Sequence, residues 1–173
     1  KIRGLDAYLS PEMKSTGEAI GYDRNLHRAV YTALQASGIK VQNYGTVFVT
    51  LADKDKERAL YLIKRFYDLG FNIEATEGTA KFLKEHGIKT RMKQKISEGG
   101  NDVIESLTKG YVTYVLNTQD VGADTAHDGS IIRRYATENN VALFTSLSTV
   151  NALLNVLEDM TMKVSTIDDD CAK

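Results

Sequence analysis

The sequence has no tryptophan, one proline and one cysteine. Cys171 lies close to the C-terminal end, so neither an internal disulfide nor a cysteine-based metal centre can form, and a reducing, cytoplasmic setting is expected. Neither sign of charge is in excess. With 22 basic and 23 acidic residues the net charge is -1, which leaves no global field to recruit nucleic acid or an anionic membrane. No apolar run approaches the ~20 residues of a membrane span, and no signal peptide is recognisable. Two nucleotide-binding patterns are also missing. No Gly-x-Gly-x-x-Gly follows the first expected strand, which argues against a dinucleotide site. No Gly-x-x-x-x-Gly-Lys-Ser/Thr occurs, which excludes a P-loop.

What remains is an ordinary globular composition, 42% hydrophobic and 26% charged, in a chain long enough to bury a core without staples. Lys1 opens the chain without Met inside what reads as continuing structure, so a piece of a longer protein is expected. Two parts are expected, 1–44 and 45–173. The first contains Pro11 and a helix over 25–37, closed by Gly38 and followed by a polar linker.

From Thr46 onward, short β-branched or apolar runs alternate with helical periodicity. Strands are expected at 47–51, 71–76, within 88–96, at 111–116 and at 141–145. Helices are expected at 54–69, 79–86, 101–109, 130–138 and 148–158, with 117–129 a polar loop. On the first of these helices Leu60, Ile63 and Tyr67 are expected inward, flanked by Ala59, Leu62 and Phe66. Tyr61, Tyr67, Tyr111, Tyr114 and Tyr135 are expected in or beside the core. Five such repeats predict an α/β fold, a five-stranded parallel sheet with helices on both faces in three Rossmann-type layers, preceded by a helical segment.

In open parallel sheets ligands sit beyond the carboxyl ends of the strands. The sharpest sequence there is Ala75-Thr76-Glu77-Gly78-Thr79-Ala80, where a strand becomes a helix. Two hydroxyls bracket a glycine at free helix-start amides, which suits a phosphate. A threonine at that place more often serves only as an N-cap. Lys56 opens the preceding helix, where a cation opposes the helix dipole unless it faces an anion. Lys95 follows the third strand, Thr50 ends the first, and Asn117 and Thr118 end the fourth. The histidines suggest no catalyst. His86 suits a helix C-terminal cap, His27 has no acidic neighbour, and His127 with Asp124 and Asp128 reads as a solvated loop. Asp168, Asp169 and Asp170 read as a frayed tail.

The run Ser10-Pro11-Glu12-Met13-Lys14-Ser15-Thr16-Gly17-Glu18 closely resembles the end of the second ATP-grasp unit of carbamoyl phosphate synthetase large subunits. Asp55-Lys56-Glu57-Arg58, the Ala75 to Ala80 run, Asn117-Thr118 and Ile132-Arg133-Arg134 resemble, in order, the methylglyoxal-synthase-like effector domain that follows in that subunit. The resemblance implies that 1–44 is the tail of the synthetic unit plus linker and 45–173 the allosteric domain. It implies phosphate ligands at Lys56, Thr76, Thr79 and Lys95, with Gly78 between the two threonines. Thr50 would line the pocket, and Asn117 would contact a sugar or base. UMP is the effector it favours, with IMP or phosphoribosyl pyrophosphate as alternatives. Lys95 stands where N-acetylglutamate-sensing relatives carry an aromatic residue. The fragment itself would need no cofactor, whereas the parent enzyme uses ATP with Mg2+ or Mn2+. Its implied partners are the rest of the large subunit and a small glutaminase subunit, and homo-oligomerisation is compatible with it.

The sequence departs from the family at Gln119 and in the loop with Asp120, Asp124 and Asp128. Only Thr145 and Ser146 fall near the segment matching the family's ornithine site. Methylglyoxal synthase itself is the enzymatic alternative. Its signature Gly-Gly-Asp after the third strand is Gly99-Gly100-Asn101-Asp102 here, with Asn101 where the acid belongs. The cyclohydrolase half of the bifunctional purine enzyme shares the fold but not the N-terminal run. A pure interaction module is the third class.

Overall fold

The computed structural model describes residues 26–96, 99–118 and 126–170. The Ser10 to Glu18 run, Gln119, Asp120, Asp124, Cys171 and the side chains of His27, His127 and Asp168 to Asp170 lie outside the described part. Contacts divide the chain into two units. The first spans Tyr44–Leu147. It holds strands β1 (Thr46–Thr50), β2 (Asn72–Thr76), β3 (Thr90–Lys93), β4 (Tyr114–Asn117) and β5 (Ala142–Phe144). Between them run a 3-10 turn (Asp53–Asp55) and helices α2 (Lys56–Asp68), α3 (Glu77–Glu85), α4 (Asp102–Thr108) and α5 (Ala126–Glu138). The second unit contains helix α1 (Leu26–Ala36) and the chain from Ser148, which lies in helix α6 (Leu147–Asp170). There, Leu34 of α1 and Leu153, Leu154 and Leu157 of α6 are buried, and the Asn43 amide donates to Thr161 Oγ1 at 3.4 Å.

The five-stranded parallel sheet has the order β3-β2-β1-β4-β5, as the alternation of elements predicts. β1 is central and its Val47, Phe48 and Val49 are buried on both faces, which a helix-covered parallel strand requires. On one face Phe48, Val115 and Leu143 pack with Val103 and Leu107 of α4 and Ile132 and Ala136 of α5. On the other, Phe66 of α2 meets Phe71 edge-on at 5.3 Å and Tyr114 at 6.2 Å, and Tyr114 meets Phe144 at 6.0 Å.

Several expectations are corrected. The buried stripe of α2 is Ala59, Leu62, Ile63 and Phe66, a complete i, i+3, i+4, i+7 set centred one residue earlier than Leu60 and Tyr67 suggested. Of the tyrosines, Tyr114 is buried, but Tyr61, Tyr67 and Tyr111 are exposed, and Arg65 lies over the Tyr61 ring. α5 begins four residues before Ser130, because Gly129 sits inside its first turn and does not precede it. α6 continues past Glu158 to Asp170, since no glycine or proline follows Gly129 to stop it. His86 is the C-cap of α3, with Nδ1 2.8 Å from the Phe82 carbonyl and its ring against the Phe82 ring.

Gly100 fixes the segment after β3. Its amide donates to the Lys95 carbonyl at 3.0 Å. A Cβ on Gly100 would lie 2.7 Å from Gln94 Cβ and 2.8 Å from the Lys95 oxygen, closer than side chains tolerate. Gly100→Ala is therefore expected to destabilise the fold by about 1–3 kcal/mol, read as a lowered midpoint in urea unfolding.

Candidate functional site

The sheet order places β1 and β4 side by side, with the chain leaving them in opposite directions, toward β2 and β3 on one side and β5 on the other. This is the topological switch point of the sheet, where a crevice must open between diverging connections. The structure has one there, with a volume of about 490 Å³. All seven residues singled out from the sequence line it: Thr50, Lys56, Thr76, Gly78, Thr79, Lys95 and Asn117.

Backbone continuity past the strand ends builds the floor. The Thr118 amide donates to the Thr50 carbonyl at 3.1 Å, and the Ala52 amide is shared between the Thr118 carbonyl and hydroxyl, both at 3.1 Å. The Leu51 amide donates to Thr79 Oγ1 at 3.3 Å, tying the end of β1 to the first turn of α3. Thr79 is buried, and because its oxygen accepts that bond its own O–H remains a donor. Asn117 is buried too. Its Nδ2 donates to the Gly129 carbonyl at 3.1 Å, fastening α5 to β4. One N–H of Asn117 is therefore committed to the wall.

Thr76 holds the N-cap position of α3 with extended geometry (ψ 157), yet its side chain makes no capping hydrogen bond. The competing reading of this threonine as a plain cap is not what the structure shows. The first-turn amides of α3 are left without a side-chain cap at the crevice, with the positive end of the helix dipole. Gly78 lies in this turn with ordinary backbone geometry, and a Cβ there would meet Lys56 Nζ at 3.8 Å. The glycine thus keeps open the space between the α3 amides and the lysine.

Lys56 opens α2 and its side chain is mostly buried. Its ammonium is 2.6 Å from Asp53 Oδ1. The hydrogen bond from Lys56, and then its charge, hold the Asp53 carboxyl below the usual carboxylate range. Lys95 reaches the crevice from the segment that Gly100 pins.

Two acidic residues of the lining, Asp53 and Asp128, are not among the seven. Asp128 was read as a solvated loop residue, but it is buried in the first turn of α5 and lines the crevice. An acid in the first turn of a helix is electrostatically favourable, and that is the signal that could have moved it out of the loop. The lining thus combines two lysines, four threonines and an uncapped helix start with two carboxylates. Asn101 and Asp102 are not among the residues lining this crevice.

A protein-family model described as the MGS-like domain matches residues 58–145, about half of the chain. Among solved structures the chain is similar to a crystal structure of methylglyoxal synthase from Elizabethkingia anophelis NUHP1. The TM-score is 0.56 at 17% identity, over 66% of this chain and 79% of that one, which is a likeness of fold.

Gly78→Ala separates stability from binding at this site. Replacing a helical glycine with alanine is expected to leave stability unchanged or raise it by up to about 1 kcal/mol. The added methyl fills the gap toward Lys56, so binding of inorganic phosphate should fall. Thermal unfolding and titration calorimetry on the same two proteins check both halves.

Proposed function

From the premise that this chain belongs to the MGS-like domain family, we propose that its strand-end crevice binds a phosphorylated effector and that the domain regulates a carbamoyl phosphate synthetase large subunit. The observation that carries the binding half is the start of α3. Its amides have no side-chain cap, the hydroxyls of Thr76 and Thr79 flank them, and Lys56 and Lys95 line the same cavity. A phosphoryl group is the guest that satisfies this set, because it accepts from several amides at once and balances both ammonium groups. A crevice of about 490 Å³ has room for more than phosphate, so a nucleotide such as UMP fits, with IMP or phosphoribosyl pyrophosphate as alternatives.

The regulatory half is supported by the sequence. The Ser10 to Glu18 run resembles the end of the second synthetic unit, in the order expected ahead of an effector domain. In that reading the parent enzyme makes carbamoyl phosphate from bicarbonate, ATP and ammonia, with Mg2+ or Mn2+ on the ATP and a glutaminase subunit supplying the ammonia. The product feeds pyrimidine and arginine synthesis. The effector acts by binding one arrangement of the large subunit more tightly than another, with a coupling of ~1–3 kcal/mol. Self-association through this domain is compatible with that role.

A second reading, methylglyoxal synthase, has one observation in its favour: the buried carboxylate of Asp128 lies in the crevice. Proton abstraction from dihydroxyacetone phosphate needs a carboxylate beside the bound phosphate. Asp102, the acid nearest the family's catalytic run, lines a different cavity.

Calorimetry with UMP, IMP, phosphoribosyl pyrophosphate and N-acetylglutamate tests the proposal. UMP is expected to bind, and Lys95→Ala to weaken it by about tenfold or more through loss of a charge-assisted hydrogen bond. Thr79→Ala should weaken binding and also destabilise the fold by leaving the Leu51 amide without its acceptor. Thr79→Ser restores both. Binding of N-acetylglutamate alone would overturn the phosphate reading. Turnover of dihydroxyacetone phosphate, abolished by Asp128→Asn, would establish the enzyme instead.

A further inference from the structure

The turn between Asp53 and Lys56 dictates that they meet. The Asp55 amide donates to the Ala52 carbonyl at 3.0 Å and the Lys56 amide to the Asp53 carbonyl, which closes the 3-10 turn. Side chains three residues apart eclipse in such a turn. The Asp53 carboxylate is thereby delivered onto the Lys56 ammonium, with Oδ1 2.6 Å from Nζ. The two ends of this pair are unequal. The Asp53 side chain is 90% exposed and that of Lys56 only 19%. The lysine belongs to the crevice wall, while the acid remains in water.

That contact stands where a bound anion would be. A Cβ on Gly78 would lie 3.8 Å from Lys56 Nζ, so the ammonium is close to the first turn of α3, whose amides carry no side-chain cap. Asp53 lines the same crevice as Thr76, Thr79 and Lys95. A phosphoryl group accepting from the α3 amides reaches the Lys56 ammonium as well. An ammonium has three N–H groups and can donate to two acceptors. A carboxylate and a phosphoryl group on one ammonium, however, stand a few ångströms apart and repel each other. Asp53 is the party that yields. Its exposed carboxylate is solvated by water once it leaves, whereas the Lys56 stem is confined by the wall. Asp55, two residues on, carries the same charge but is not among the residues lining the crevice.

We propose that Asp53 is a built-in competitor of the bound anion for Lys56 and so sets the affinity of the crevice. This inference rests on the reading of the crevice as a phosphate site. In the empty site the Asp53 carboxylate neutralises a lysine whose side chain is mostly buried. The guest takes that lysine over and turns Asp53 out into solvent. Affinity is thereby held below what two lysines and an uncapped helix start give on their own, which keeps release as accessible as binding at a regulated site. Occupancy is also felt in the 3-10 turn that leads into α2, because Asp53 belongs to it.

The test is calorimetry with inorganic phosphate on this chain, on Asp53→Asn and on Asp55→Asn, with thermal unfolding of each to confirm the fold. Asp53→Asn is expected to bind phosphate about two- to fivefold more tightly, the worth of one exposed ion pair. Asp55→Asn makes the same change in net charge and is expected to gain clearly less, because it removes only a screened charge outside the lining. In carbon-detected NMR of the unsubstituted chain, the Asp53 carboxyl signal should move on addition of phosphate and the Asp55 signal much less. Should Asp53→Asn unfold, Asp53→Ser is read in its place with the same gain expected. Phosphate binding that is unchanged or weakened by loss of the Asp53 charge overturns the competition and leaves the phosphate reading standing. Equal gains from both acids, or an Asp53 carboxyl that does not respond to phosphate, overturn it in the same way. Absence of phosphate binding in every one of these proteins overturns the phosphate reading and this proposal together.

Discussion

Pairing between β1 and β4 does not end where the strands do. The Thr118 amide reaches back to the Thr50 carbonyl, and the Ala52 amide is held by both oxygens that Thr118 offers. Two residues beyond the last rung, the chains are still coupled, so the connection to α2 must turn away at a fixed point. That point sets where Lys56 begins its helix. The Leu51 amide in the same stretch takes the Thr79 hydroxyl as its acceptor, and this sets where α3 begins. The crevice is therefore a consequence of how the parallel ladder terminates at its switch point. Its polar groups stand at fixed positions because they also satisfy the backbone amides that the ending of the sheet would otherwise leave open.

Local electrostatics then depart from the global balance. A chain with net charge -1 can still hold an anion when two lysines and a helix dipole act over a few ångströms of partly enclosed space. Asp53 and Asp128 oppose that field. Asp53 neutralises Lys56 while remaining exposed itself, so an incoming anion competes with a partner that water can readily solvate. Asp128 is buried and has no such escape. Its place in the first turn of α5 offsets part of its burial through the helix dipole, and it adds to the lining a group that accepts hydrogen bonds and does not attract phosphate.

The alternation of apolar runs with helical periodicity was enough to read the sheet, and the rule that ligands gather beyond parallel strand ends was enough to collect seven crevice residues from five separate segments. That worked because each of them sits within about two residues of a strand terminus or at the start of the following helix, positions that sequence pattern fixes well. What stayed hidden depended on contacts with no local signature. Gly129 looked like the end of a loop, because nothing in the sequence says that Asn117, twelve residues earlier, fastens its carbonyl. Asp128 was misjudged with it. The α2 stripe was displaced because Ala59 is too small to weigh in a hydrophobic pattern, although it is fully buried. Glu74 drew no notice, since one acid within a short strand looks like an outward-facing residue until the register shows Phe48 beside it.

Glu74 also bears on how the β3 edge of the sheet is protected. Among the described residues β3 pairs only with β2, and an edge strand with open backbone groups invites the addition of another strand. Arg91 and Lys93 are charged residues on that strand, and Arg91 stays largely exposed while reaching Glu74. Charges along an edge are one way such pairing is discouraged. That role, however, needs only the cations. It does not require a glutamate sunk next to Phe48, where an apolar residue would extend the core and avoid a desolvation penalty that a buried ion pair often fails to recover. Edge protection therefore accounts for Arg91 and Lys93 but not for the burial of Glu74 beside Phe48.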